Sequence, residues 1–131
     1  RLRIYRELND LKEEAQLQTY VAGLVDRFGA LPPQAERLMT SLRLRWLGQS
    51  LGFDKMVLKA GKLLCYFPEE AHEAPPQEVL MNFLAKIQAF PQRYRMKQKG
   101  PRISLVVDHI PTVQDAFVTL TELSSAPKIA P

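Results

Sequence analysis

The order of patterns along the chain predicts an α+β fold, with helices packed on a small antiparallel sheet made of two β-hairpins. Three observations carry this. Apolar residues recur at helical spacing in three long stretches, around 17–28, 35–51 and 79–87. Two pairs of short β-prone runs flank Gly61 and Gly100, and short runs joined by tight turns can only pair antiparallel. Helical stretches precede and follow each pair, so the strands have helices available to cover them.

Residues 1–8 form a short helix carrying Leu2, Ile4, Tyr5 and Leu8, which Asn9-Asp10 interrupts. Asp10 with Glu13 three positions on reads as a capping box for the next helix. Leu17, Tyr20, Val21, Leu24, Val25 and Phe28 then keep the spacing of one apolar stripe, expected to be buried. Gly29 suits the position after the helix, where φ is usually positive, and Pro32-Pro33 offers a first-turn proline to the helix that follows. From Gln34 to Leu51 there are two stripes: Ala35, Leu38, Met39, Leu42 and Trp46 on one side, Leu44, Leu47 and Leu51 on another. Such a helix is covered twice, and is expected to lie between the preceding helix and the sheet, with Arg37, Arg43 and Arg45 leaving through the gaps.

Gly52 ends that helix. Lys55–Ala60 and Lys62–Phe67 make the first hairpin, and the polar, proline-containing stretch Glu69–Pro76 is a loop. Val79, Leu80, Phe83, Leu84 and Ile87 give a further amphipathic helix closed by Phe90-Pro91. Strands 93–98 and 102–107 turn through Gly100-Pro101, and Thr112 caps a last helix bearing Val113, Phe117, Leu120 and Leu123. A Ser-Ser-Ala-Pro tail is expected to fray.

At 131 residues, 46% apolar and 24% charged, the chain reads as a single domain over 1–131 that buries a core without staples. Cys65 is the only cysteine, which excludes internal disulfides and multi-cysteine metal sites and fits a reducing cytoplasm. No apolar run is long enough to cross a membrane, and the charged opening is not a signal peptide. A start without methionine, inside a helical pattern, points to a piece of a longer protein.

Net charge is +4, from 18 basic and 14 acidic side chains, but residues 92–102 hold five basic and no acidic ones. Arg93, Arg95, Lys97 and Lys99 alternate, so a strand puts all four on one face, with Tyr94 and Met96 on the other. This stripe is either a solvated face that guards a sheet edge or a phosphate-binding surface.

Catalytic and cofactor signatures are absent. Six scattered glycines build neither a P-loop nor a dinucleotide fingerprint. His72 and His109 have no ligand partners at metal-binding spacing. Asp108-His109 reads as an exposed strand-end pair rather than part of a triad, since neighbours on a strand face opposite ways. Cys65 sits in an apolar run, where a thiol is a small buried hydrophobe. Glu69, Glu70 and Glu73 beside His72 form a solvated acidic loop. No catalytic residue, metal or cofactor is assigned.

Asp26-Arg27-Phe28-Gly29 followed by Leu31-Pro32 resembles an element of the carboxy-terminal (TRCF) domain of bacterial transcription-repair coupling factor. Arg1-Leu2-x-Ile4-Tyr5-Arg6, Leu42-Arg43-Leu44-Arg45 leading to Leu51-Gly52-Phe53, and Tyr94-Arg95-Met96 followed by Arg102-Ile103 agree with that family in order and spacing. The resemblance implies a parent that is an ATP-dependent DNA translocase, which removes stalled RNA polymerase and recruits nucleotide-excision repair. It implies that this domain carries no motor and is regulatory. It would dock on the parent's amino-terminal repair-protein-like module and mask the surface meant for the damage-recognition ATPase (UvrA). Asp26 and Arg27, on the side of the helix away from the stripe, are the docking candidates, and Gly23 stands where relatives often carry an acid. The alternative is an accessory nucleic-acid-binding domain that uses the Arg93, Arg95, Lys97 and Lys99 stripe.

Overall fold

Residues 2–68 and 77–124 are described in the computed structural model. In order they form α1 (Leu2–Asp10), α2 (Glu14–Phe28), α3 (Pro33–Ser50), β1 (Lys55–Lys59), β2 (Lys62–Tyr66), α4 (Gln77–Ala89), β3 (Tyr94–Lys99), β4 (Arg102–Val107) and α5 (Val113–Ser124). The expected α+β class holds. The strands form one antiparallel sheet in the order β1-β2-β4-β3, so the two hairpins join through β2 and β4 and β3 is an edge.

Turn chemistry explains both hairpins. Ala60 and Gly61 have φ of 53° and 74°, the paired positive values of a type I′ connection, which matches strand twist. Gly100 has φ of 61° and precedes Pro101, the order a type II′ turn requires. Pro33 takes the first position of α3, and Gly29 caps α2 with φ of 83° and its N–H on the Val25 carbonyl. Thr112 caps α5: its hydroxyl accepts from the Asp115 N–H at 3.1 Å and donates to the Asp115 carboxylate at 2.7 Å.

Two expectations fail at the first helix junction. Asn9 and Asp10 belong to α1 rather than interrupting it, and Asp10 caps nothing. The residue before α2 is Glu13, without a side-chain capping bond, and Gln16 instead reaches back to accept from the Lys12 N–H at 2.7 Å. An acid at the end of one helix was mistaken for the start of the next because the connection is only three residues long.

The two stripes of α3 serve two separate cores. Leu44 and Leu51 join Leu63, Cys65, Tyr94, Leu105 and Val107 of the sheet, Phe83 of α4 and Ala116, Leu120 and Leu123 of α5. Within this core Phe53 stacks on Phe83 with centroids 5.6 Å apart, and Phe67 tilts against Phe53 at 4.8 Å. Leu42, on the other stripe, meets Leu8 and Leu17 under Ile4, Leu11, Tyr20, Val21, Leu38, Met39 and Trp46. Arg43 pins the same junction, its Nε and a terminal nitrogen donating to the Glu14 carboxylate at 2.8 and 2.9 Å. These hydrogen bonds hold the Glu14 carboxyl below its ordinary range.

Burial differs from expectation on α4 and α2. Phe83 is enclosed and Val79 and Ile87 are half-buried, but Leu80 and Leu84 of the same stripe are exposed, because α5 and β3 cover only one narrow side of α4. On α2, Leu17 is buried and Leu24 half-buried, whereas Val25 and Phe28 are exposed. The Glu69–Pro76 loop, with Glu69, Glu70, Glu73 and His72, and the segment 125–131 lie outside the described residues.

Candidate docking surface and cationic sheet face

At the end of α2, Asp26, Arg27 and Phe28 are all exposed. Phe28 is 72% exposed, the largest exposure among the large apolar side chains described. It borders a groove of about 260 Å³ lined by Ile4, Tyr5, Leu24, Leu31 and Pro32. On its other side Arg27 lines a second groove with Arg3, Glu7 and Tyr20. Here the Glu7 carboxylate accepts from the Tyr20 hydroxyl and from Arg3 Nε at 3.1 Å, and both bonds hold the Glu7 pKa below its ordinary value. Burial and the bond to Glu7 push the Tyr20 hydroxyl up to about 12, so it stays a donor at any physiological pH.

Asp26 is exposed and has no ion pair or hydrogen bond among the described residues. The α2 end therefore presents an unpaired carboxylate, a guanidinium and a bare phenyl ring within three consecutive positions. Periodicity had assigned Phe28 to the core, so the sequence reading missed it as a surface residue.

The basic stripe is only partly as expected. β3 starts at Tyr94, so Arg93 lies in the preceding turn and leaves the face. Its Nε donates to the Asp108 carbonyl at 3.3 Å and a terminal nitrogen to the Thr119 hydroxyl of α5 at 3.2 Å. Arg95 stays on the face and pairs with the Asp108 carboxylate at 3.2 Å. Lys97 and Lys99 are exposed, without an ion pair among the described residues. Tyr94 is buried in the core, which raises its pKa.

Asp108 is thus no exposed strand-end acid. Its side chain is 17% exposed and organises Arg95 and, at 3.9 Å, Lys62. The adjacent His109 is exposed, with φ of 63°. Cys65 is fully enclosed, and burial pushes its thiol up to about 12, far from a nucleophile's range. Among the described residues no three His, Cys, Asp or Glu side chains come together to hold a metal ion, and no helix is long and apolar enough to cross a membrane.

These features define an α+β module with one charged helix end and one cationic sheet face. The family described as the TRCF domain matches residues 1–78. The transcription-repair-coupling factor of Escherichia coli (strain K12) is 32% identical over 109 residues, which cover 82% of this chain. The chain belongs to the TRCF domain family. It matches 9% of the length of that relative.

Proposed function

We propose that the chain is the carboxy-terminal regulatory domain of a transcription-repair coupling factor and acts in transcription-coupled nucleotide excision repair. It docks on the amino-terminal repair-protein-like module of its own parent and covers the surface that the damage-recognition ATPase UvrA would use. The observation that carries the reading is the surface at the end of α2, where Asp26 and Arg27 are exposed in the same turn as a phenyl ring 72% exposed to solvent. Aromatic side chains and arginine are enriched in protein interfaces relative to the rest of the surface. The domain works without a catalytic residue or cofactor of its own. ATP-driven translocation on DNA and contact with RNA polymerase belong to the rest of the parent, in the cytoplasm.

Asp26→Ala tests this reading. The side chain has no partner among the described residues, so stability of the 131-residue protein is expected to change by no more than about 0.5 kcal/mol. In the full-length parent, loss of one charge-assisted contact costs about 1.5–3 kcal/mol and shifts the closed state toward the open one roughly ten- to hundredfold. Recovery of the damage-recognition ATPase on immobilised parent is expected to rise accordingly. Equal, low recovery from both parents would place the docking contact elsewhere.

A further inference from the structure

The strand order gathers basic residues that the sequence keeps far apart. Facing partners in an antiparallel sheet share a face, so the register defines what lies opposite the core. One row runs Lys55, Tyr66, Ser104, Lys97 across all four strands, and the next runs Val57, Leu64, Val106, Arg95. Lys59 and Lys62 pair beyond the second row, and Arg102 and Lys99 beyond the first. Among the described residues this face carries seven cations against two carboxylates, Asp54 and Asp108, both already paired with an arginine.

No helix among the described residues covers this face. α3, α4 and α5 all pack on the side of Leu63, Cys65, Leu105 and Val107, while α1 and α2 pack on α3. With strands about 4.8 Å apart, the face is roughly 14 Å across. Its middle is apolar, through the half-buried Val57 and Leu64, with Val106 fully enclosed beneath them. Beside them is the half-buried Tyr66, with Lys55 Nζ 5.5 Å and Arg102 Cζ 5.1 Å from its ring centroid.

We propose that this open sheet face binds single-stranded nucleic acid. Phosphates meet Lys55, Lys59, Lys97 and Lys99, the exposed cations of this face that pair with no carboxylate among the described residues. A base lies on Tyr66 and the apolar band. A duplex would offer the flat face phosphates alone, its bases being stacked inside, and would leave the tyrosine and the band without a role. A single strand satisfies both parts, as on other nucleic-acid-binding sheets that combine a basic groove with stacking aromatics. The proposal is independent of docking through α2.

The test is fluorescence anisotropy of the 131-residue chain with labelled single-stranded oligothymidine of about 12 nucleotides. Micromolar binding is expected at 50 mM salt. With four phosphates neutralised, the logarithmic salt slope is about −2.8, so affinity falls roughly fiftyfold between 50 and 200 mM. The double variant Lys97→Glu, Lys99→Glu is expected to weaken binding at least tenfold while circular dichroism stays unchanged. Tyr66→Ala is expected to weaken it about tenfold, and Tyr66→Phe to keep it. Oligouridine should match oligothymidine within about threefold, since nothing on the face selects the sugar, and Asp26→Ala should bind as the parent sequence does. Absence of saturable binding at 50 mM salt, a duplex of equal length binding as tightly, or insensitivity to the lysine reversals would each overturn the proposal.

Discussion

Phe83→Ala is expected to lower the stability of the protein by about 3–5 kcal/mol, the range for removing a buried aromatic ring from a packed core. Phe83 is fully enclosed and stands where α4 meets the sheet, with Phe53 stacked on it and Phe67 tilted toward it at 6.2 Å. Each aromatic pair adds about 0.5–1.5 kcal/mol beyond its burial. The loss is a large part of the roughly 5–15 kcal/mol that holds a domain of this kind together. Cys65, in the same core, reports the result. Its thiol reacts with alkylating reagents at pH 8 only when the core opens, because burial keeps it protonated up to about 12. Labelling of Cys65 is therefore expected to be slow in the parent sequence and at least a hundredfold faster in Phe83→Ala. The shift in the denaturant midpoint should agree with it.

Leu42→Ala is expected to cost about 2–5 kcal/mol, but to spend that loss locally. Leu42 belongs to the smaller core, where it, Leu8 and Leu17 are the fully enclosed members. The α1–α2 pair meets the rest of the described chain through α3, by this cluster and the exposed Glu14–Arg43 pair. A cavity at Leu42 loosens that layer while Leu44, on the other stripe of the same helix, still holds the sheet. Hydrogen exchange measured peptide by peptide should show α1 and α2 losing protection while β2 and β4 keep theirs, with Cys65 labelling unchanged. The same variant in the parent is expected to release docking as fully as Asp26→Ala, since it removes the platform that carries Asp26 and Phe28. Uniform loss of protection over all nine elements would show instead that the two cores melt as one.

The double stripe of α3 was legible because each stripe is complete within one helix, and the structure puts a separate core against each. Thr112, Pro33 and the glycines at 29, 61 and 100 were legible for a similar reason, since capping and turns are decided within a few residues. Phe28 was not, because periodicity says which side of a helix is apolar but not whether a partner covers that side. Asp108 was misread because its partners, Arg95 and Lys62, are distant in sequence. The alternation at 93–99 showed a basic strand face, but not that the strand begins at Tyr94 and leaves Arg93 to α5. Lys55, Val57 and Lys59 alternate just as plainly. Only the order β1-β2-β4-β3 shows that they share a face with Lys97 and Lys99.

The central claim is that the end of α2 docks on the parent's amino-terminal module, and the most direct measurement is calorimetric titration of the 131-residue chain with that module. Saturable binding of the parent sequence is expected, weakened about tenfold or more by Asp26→Ala and by Phe28→Ala separately, with the lysine reversals at 97 and 99 without effect. Binding indifferent to both α2 substitutions, or abolished by the lysine reversals alone, would contradict the account and move the docking face to the sheet.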